Sequence, residues 1–524
     1  MGNDRIKRRH FIQAAAAGTA SASMGCGNAE TKNPAGRAAH PKDRPNVLII
    51  MTDQHRYDLM SCLGNDLVPT PNIDRIAARG VRFENTYCPY PVCVASRMAM
   101  LTGLYSHSTG SITNRDQLDW RYRTMEHHFG DNGYLSGLVG KMHFNSAYKH
   151  GFEFYMSIND WLLYLGPKVQ HYANEIASHP HNMYFYRTVD DSGAGFPDIE
   201  TLWDGEPNNW VGNVTRSDFK TMASELDTGD HLDSFIARES IKFMKENKAH
   251  PFFLITSFMK PHTPFFPPKE WADKYPVDSM DLRPVNDPSS YPEHIRRRIE
   301  GYKNRDPRLM KAGRAGYLGN LAFADSCVGQ VYDALGELGL IDNTIVVYTS
   351  DHGEMDGTHG MWQKFCLFEP SVKVPFIVSR PGHLAEGEVT NALTELIDLY
   401  PTLSDLCGLE RPESTTIVDM DGAPQNLEAK SFAENIKDPG LNGPDAAFSE
   451  YNLRSAIPSY MIREKKYKYV YNHGATHELY DLETDPGENL NLIDVPELRD
   501  VANGLHDKLF AWYDPESNRF RVKS

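Results

Sequence analysis

Val47-Leu48-Ile49-Ile50-Met51-Thr52 runs directly into Asp53-Gln54-His55-Arg56. A continuous apolar run of this length reads as a strand buried on both faces, the kind that parallel sheets use. Polar groups then cluster at its end. Open α/β sheets bind ligands beyond the carboxyl ends of their strands, which places Asp53 and Gln54 as hard oxygen ligands at a strand exit. The layout recurs three times downstream. Leu135-Ser136-Gly137-Leu138-Val139 leads into Gly140-Lys141-Met142-His143, and Phe252-Phe253-Leu254-Ile255-Thr256-Ser257-Phe258 leads to Lys260-Pro261-His262. Thr344-Ile345-Val346-Val347-Tyr348-Thr349 leads into Ser350-Asp351-His352-Gly353-Glu354. One Asp or His at a strand end often just caps a turn. Four exits carrying Asp, Gln, Lys, His, His, Asp and His are hard to explain by turns alone, and together they describe a site for a divalent metal and a bound oxyanion.

Between the first two strands, Thr70-Pro71-Asn72-Ile73-Asp74-Arg75-Ile76-Ala77 starts a helix that Gly80 is expected to end. Val81-Arg82-Phe83 then leads to Cys93-Val94-Ala95-Ser96-Arg97, continuing through Met98-Ala99-Met100-Leu101-Thr102-Gly103. Residues four apart share one helical face, so Cys93 and Arg97 stand one turn from each other if the helix has already begun. A helix N-terminus and a guanidinium both favour negative charge, so an anionic substrate or an ionised nucleophile is stabilised here. Taken alone, the segment also fits a small buried cysteine that only fills space.

Composition sets bounds on these readings. The chain has 524 residues, 40% hydrophobic and 24% charged, enough for one large domain and a smaller one around a substantial core. A net charge of -16 argues against nucleic acid as a partner and requires positive charge to be concentrated locally at an anion site. Arg8-Arg9-His10-Phe11-Ile12, followed by an Ala/Gly/Ser stretch, reads as a twin-arginine export signal over residues 1–30. Its apolar part is too short to span a bilayer, so no transmembrane anchor is expected. Ser23-Met24-Gly25-Cys26 faintly resembles a lipoprotein cleavage box without its usual Leu, so cleavage is favoured over a lipid anchor at Cys26. Residues 31–43 form a flexible leader. Seven cysteines in a chain this long make no disulfide scaffold.

The remaining stretches are less regular. Residues 155–250 break the strand-helix rhythm and carry Trp161, Tyr164, Tyr172, Tyr184, Tyr186, Trp203 and Trp210. Most of these rings read as local core, and a minority as a wall on which sugar rings could stack. Arg296-Arg297-Arg298, Lys303, Arg305, Arg308, Lys311 and Arg314 form a basic stretch, either a solvated face or a means of steering a polyanion. Leu321, Val328, Val331, Leu335 and Leu338 mark an amphipathic helix with Gly339 near its end. After His359-Gly360-Met361-Trp362-Gln363-Lys364, Val374-Pro375-Phe376-Ile377-Val378 reads as a strand. Residues 411–445 read as loops. Tyr467–Tyr471 and Glu478–Leu482 read as antiparallel strands closed by Asp485-Pro486-Gly487, with a last helix around Val501–Trp512.

From Arg44 onward the motifs resemble, in order, those of the type I, formylglycine-dependent sulfatases of the alkaline-phosphatase superfamily. The resemblance rests on the strand ending at Asp53, Cys-x-Ala-x-Arg with Ala95 in the Pro/Ala slot, Gly-Lys-Met-His, Lys-Pro-His-Thr-Pro-Phe, Ser-Asp-His-Gly-Glu and Glu-Leu-Tyr-Asp-Leu. It implies an α/β fold: a catalytic domain over residues 44–440 around a mostly parallel mixed sheet flanked by helices, and a small antiparallel C-terminal subdomain over 441–524. It implies that Asp53, Gln54, Asp351 and His352 hold one divalent metal, calcium first with magnesium or manganese as alternatives, and that Cys93, oxidised to formylglycine, contributes an oxygen. Many members have Asp at Gln54 and Asn at His352, and each change softens an oxygen ligand. By the same resemblance Arg97 and His143 orient the formylglycine hydrate, Lys141 and Lys364 bind sulfate oxygens, and His262 protonates or stabilises the leaving oxygen. The role of His359 stays open between supporting the site and lining the substrate pocket.

The function implied is an exported periplasmic or cell-surface sulfatase acting on sulfated sugars or polysaccharide fragments, matured by a formylglycine-generating enzyme. One hydroxyl of the hydrate attacks sulfur, and the other then expels sulfate and restores the aldehyde. Two rivals are a phosphonate monoester or phosphodiester hydrolase on the same scaffold and a non-catalytic sulfoglycan-binding protein. The presence of every expected catalytic residue type argues against the second.

Overall fold

The computed structural model describes residues 44–169, 223, 224, 226–285, 287–303, 306–412, 415 and 425–522. The export signal with Arg8, Arg9 and Cys26, the leader, and Tyr172, Tyr184, Tyr186, Trp203, Trp210 and Arg305 lie outside the described residues. The larger sheet has nine strands: β1 (Asn46–Asp53), β2 (Gly80–Tyr87), β3 (Leu135–Gly140), β4 (Phe154–Met156), β5 (Phe252–Pro261), β6 (Thr344–Ser350), β7 (Lys373–Val374), β8 (Phe376–Ser379) and β9 (Glu388–Glu395). Their order is β4-β3-β5-β1-β6-β8-β2-β7, with β9 beside β2. The four strands expected from the apolar runs, β3, β5, β1 and β6, stand next to one another in parallel. Their carboxyl ends therefore open along one edge.

Helices cover both faces of this sheet. They are α1 (Pro71–Ala78), α2 (Cys93–Thr102), α3 (Leu232–Asn247) and α5 (Pro307–Glu337), whereas α4 (Glu293–Lys303) packs on Met355, Met361 and Phe368 and α6 (Arg499–Trp512) on a second, smaller sheet. Alternate residues of a strand point to opposite faces, and β1 divides its side chains accordingly. Val47, Ile49 and Met51 pack in a core with Val94, Met98 and Leu101 of α2. Leu48 and Ile50 join Ile73 and Ile76 of α1, Phe235 and Phe243 of α3, and Phe323 and Val331 of α5. A strand covered on both sides can carry no charged residue before its end, which is why β1 is apolar from Val47 to Met51.

Several local expectations change. Gly80 opens β2 instead of ending α1: a Cβ there would lie 2.3 Å from the Val378 carbonyl oxygen, so the two strands approach too closely for a side chain. Pro375, which has no N–H to give, divides the expected strand into β7 and β8. Residues 232–247, expected to be irregular, form α3, whose apolar side packs against β5. Trp161 is core, its indole N–H donating to the Asp230 carbonyl at 2.7 Å, while Tyr164 is 47% exposed. Within residues 411–445, Ala433–Lys437 is a short helix.

The second sheet is antiparallel, in the order β10 (Ala446–Tyr451), β11 (Ser459–Glu464), β12 (Tyr467–Asn472) and β13 (Glu478–Asp481). β12 and β13 pair as expected, and Asp485-Pro486-Gly487 follows β13. Tyr460, Ile462, Tyr469 and Leu479 pack on Ala502, Leu505 and Leu509 of α6. A buried ion network fastens this sheet to the larger one. Lys468 Nζ lies 2.5 Å from Glu488 Oε1 and 3.1 Å from Glu369 Oε1, and Tyr87 Oη of β2 donates to Glu369 Oε2 at 2.9 Å. Among the described residues no helix is long and apolar enough to cross a membrane.

Where β6 ends, Gly353 passes so close to the chain at Pro370 that an added Cβ would lie 2.0 Å from its carbonyl oxygen. Backbone cannot step aside as a flexible side chain can. Gly353→Ala is expected to lower stability by about 1–3 kcal/mol. Urea unfolding followed by circular dichroism measures it, and an unchanged midpoint would contradict the close approach.

Candidate active site

The four parallel exits and the N-terminus of α2 converge on Cys93. Val92 is extended and Cys93 is the first residue of α2, so the thiol sits at the helix start and Arg97 one turn further in, as the spacing predicts. The Arg97 guanidinium is fully buried and makes four contacts. Nε donates to Asp351 Oδ2 at 2.7 Å, Nη2 to Asp53 Oδ2 at 3.0 Å, and Nη1 to the Lys141 carbonyl at 2.7 Å and Ser257 Oγ at 2.8 Å. One side chain thus ties together the ends of β1, β3, β5 and β6.

Lys141 Nζ lies 2.5 Å from Asp53 Oδ2. Burial and the Cys93 thiol push the Asp53 carboxyl up, but Lys141, His262 and Arg97 outweigh them and hold it below the usual carboxylate range. Burial likewise pushes the Cys93 thiol up, and Lys141, Lys364 and His352 reverse this, holding it well below the usual thiol range. The buried His143 contributes a hydrogen bond to the thiol. Lys364 Nζ stands 3.5 Å from Cys93 Sγ, 2.6 Å from Gln54 Oε1 and 3.0 Å from His262 Nε2.

Backbone carbonyls fix the tautomers of two imidazoles. His262 Nδ1 donates to the Thr263 carbonyl at 2.6 Å, leaving Nε2 to accept from Lys364. Burial, with Lys364 beside it, lowers the His262 pKa to about 4, so the ring is neutral at pH 7. His352 Nδ1 donates to the Gly353 carbonyl at 3.0 Å, which aims Nε2 at Cys93 Sγ, 3.1 Å away. A ring N–H held by a carbonyl is how a metal-ligating histidine is oriented. The ligand atoms of Asp53, Cys93, Asp351 and His352 all lie within 4.8 Å of one another. Two carboxylates, an imidazole nitrogen and residue 93 make a donor set that fits a divalent cation. Gln54 adjoins this group. Its φ of 67° is left-handed, and Tyr317 Oη donates to its carbonyl at 2.8 Å while its own N–H donates to Asp351 Oδ1 at 3.1 Å.

All the residues singled out for catalysis or metal binding, Cys93, Arg97, Lys141, His143, His262, Lys364, Asp53, Gln54, Asp351 and His352, are thus in one buried region. His359 is not among them. Its Nδ1 meets Tyr291 Oη at 2.9 Å and its ring packs on Phe368. The sequence reading missed Ser257, Tyr317 and Glu354. Glu354 stood in a quoted motif without a role, and its carboxylate accepts from the Gln54 side-chain amide and from the Gln363 N–H. Uncharged groups such as Ser257 and Tyr317 carry no signal in a search for titratable clusters.

A mostly parallel mixed sheet thus holds a buried cysteine, a metal-type donor set and three cationic side chains together, an arrangement suited to binding an anionic group. The family model described as Sulfatase matches residues 45–409, and that described as N-sulphoglucosamine sulphohydrolase, C-terminal, matches residues 357–514. The chain belongs to the sulfatase family, whose members are sulfuric ester hydrolases. It is 28% identical to an arylsulfatase of Clostridium perfringens, covering 88% of this chain and 93% of that one. It is also 28% identical to a choline-sulfatase of Rhizobium meliloti, over 86% and 83% of the two chains. Among solved structures, the phosphonate monoester hydrolase of Agrobacterium radiobacter superposes with a TM-score of 0.73 at 24% identity, over 90% and 95% of the chains. A structure in complex with its substrate D-glucosamine-2-N,6-O-disulfate gives 0.67 at 21% identity, over 91% and 99%. These two likenesses are of fold.

Removing Arg97 leaves two buried carboxylates facing each other. Arg97→Met is expected to cost on the order of 3–5 kcal/mol in chemical denaturation. A loss below about 1 kcal/mol, the level of an exposed pair, would show that the guanidinium is not what holds the exits together.

Proposed function

We propose that the protein is an exported sulfatase that hydrolyses sulfate esters on sulfated sugars or polysaccharide fragments, using Cys93 oxidised to formylglycine and one divalent metal, calcium first. The observation that carries this reading is the placement of Cys93 Sγ among His352, Lys364 and Asp53, at 3.1, 3.5 and 3.8 Å, with Lys141 on the same carboxylate. Its sugar substrate is supported by the disulfated glucosamine named for one structural relative and by the iduronate 2-sulfatase of Mus musculus, 27% identical over 86% of this chain and 91% of that one.

The oxidised side chain would supply an aldehyde hydrate, one hydroxyl of which would displace the sugar oxygen from sulfur, after which loss of the other's proton would expel sulfate and restore the aldehyde. A cation held by Asp53, Gln54, Asp351, His352 and the oxygen of residue 93 would supply charge stabilisation for the transferring group. The chain's own groups do the rest. Arg97 fixes both carboxylates and is already neutralised by them, so sulfate oxygens fall to Lys141 and Lys364. His143 orients residue 93. His262, with Nε2 facing Lys364 and Cys93, is placed to protonate or stabilise the leaving sugar oxygen.

The surroundings weaken one argument for a sugar-stacking wall and one for the steering of a polyanion. Trp161 is core, and in the basic stretch Arg297, Lys303 and Arg308 pair with Glu293, Glu300 and Asp306. The second reading, a phosphonate monoester or phosphodiester hydrolase, rests on the Asp53-Gln54 pair.

Mass spectrometry of the peptide around residue 93, from a host able to oxidise it, is expected to show the aldehyde or its hydrate. Active protein with only unmodified cysteine would overturn the mechanism. Exhaustive chelation is expected to abolish turnover and a divalent ion to restore it. On matched substrates, sulfated oligosaccharides are expected to exceed phosphonate monoesters and simple aryl sulfates in kcat/KM by at least about tenfold, roughly 1.4 kcal/mol. A phosphonate preferred by that margin would establish the second reading. Arg8→Lys with Arg9→Lys is expected to keep the protein in the cytoplasm, and unchanged export would exclude the twin-arginine route.

A further inference from the structure

Lys364 reaches three groups of the site from a segment that the backbone alone does not favour. Gln363 and Phe365, on either side of it, have φ of 67° and 74°, left-handed values that a residue with a Cβ adopts only when its surroundings impose them. The imposing groups are identifiable. The Gln363 N–H donates to Glu354 Oε1 and its carbonyl accepts from the Met355 N–H at 2.9 Å. From the other side comes Arg298 of α4. Its Nη1 donates to the Phe365 carbonyl at 2.7 Å, and its Nη2 to the Trp362 carbonyl at 2.8 Å and to that of Lys364 itself. Tyr302, one turn along the same helix, donates to the Trp362 carbonyl at 3.4 Å. The apolar side of α4 seats the clamp, Ile295 and Ile299 packing with Met355, Met361 and Phe368.

We propose that Arg298 is the positioning residue for Lys364: its guanidinium fixes the carbonyls of residues 362, 364 and 365 and so sets Nζ between Gln54, Cys93 and His262. The inference rests on the sulfatase reading for the role of Lys364, though not for the clamp itself. It separates Arg298 from its neighbours in the basic stretch, since Arg297 is on the surface, paired with Glu293. A planar fork with five donors can hold several carbonyls at once, whereas a lysine presents one compact charge. The hydrogen bonds of Arg298 to this segment all go to backbone carbonyls. Its effect passes through the backbone of the segment that carries Lys364.

Two measurements test this, and one needs no turnover. Lysine acylation followed by mass spectrometry reads the accessibility of Lys364, with the buried Lys141 as internal control. In Arg298→Met, Lys364 is expected to be labelled at least about fivefold faster while Lys141 stays protected, and Arg297→Met is expected to change neither. Arg298→Lys should fall between Arg298→Met and the wild type. Unchanged Lys364 labelling in both Arg298 variants overturns the proposal, whatever the enzyme's substrate. Should Arg298→Met expose both lysines through loss of folding, Arg298→Lys decides by the same criterion. The second measurement is a double-mutant cycle on kcat/KM for a sulfate ester. Arg298→Met is expected to lower kcat/KM by about tenfold or more in the wild type and by less than about twofold in a Lys364→Ala background. An equal loss in both backgrounds overturns the assignment to Lys364. A wild type that turns over no sulfate ester refutes the functional reading and leaves the labelling result to judge the clamp.

Discussion

Arg97 lies wholly out of water with a carboxylate on either side, Asp53 at 3.0 Å and Asp351 at 2.7 Å. Burying ions costs several kcal/mol each unless their hydrogen bonds are nearly complete, and here the guanidinium also satisfies the Lys141 carbonyl and Ser257 Oγ. The geometry works in both directions. The carboxylates need the cation in order to be buried as anions, and the cation needs four strand ends brought to one point. A parallel sheet supplies that point because its strands all finish on the same edge. The metal-type cluster, the low thiol pKa of Cys93 and the seat of α2 against the sheet all follow from this arrangement.

The large elements were readable because each follows from burial. β1, β3, β5 and β6 are covered on both faces, so their sequences admit no charged residue until the exit, and the exit is then conspicuous. α2 was placed from the four-residue spacing of Cys93 and Arg97. What could not be read is what depends on proximity between distant segments. Gly80 looked like a helix terminator because its reason for being glycine, the Val378 carbonyl, lies some three hundred residues away in the chain. Residues 232–247 looked irregular because they were read together with the aromatic stretch before them, although their own apolar spacing is helical.

Within the site, the residues with a charge or a nucleophile were legible and those that hold them were not. Ser257 and Tyr317 are ordinary core residues until Arg97 and Gln54 are seen against them. Arg298 and Arg314 were read with their exposed neighbours as one basic surface. The helical repeat divides that run: Arg297 faces outward, Arg298 turns in to a row of carbonyls, and Arg314 is buried beside Asp356. A count of charges along the chain cannot distinguish these environments, because sign carries no information about direction.

The enclosure of Cys93 also sets an order of events. The residue is 1% exposed, and the groups that close over its sulfur, His352 and Lys364, are 259 and 271 residues further along the chain. While the chain is being made, residue 93 leaves the ribosome long before these groups do, and until they arrive nothing of this pocket exists. Any catalyst that must reach the thiol therefore has a window that opens with the synthesis of α2 and shuts when the strand ends at Asp53 and Asp351 close around Arg97. Were Cys93 oxidised as proposed, conditions that hasten folding would shorten that window, and the yield of modified protein would be set by a race between two rates.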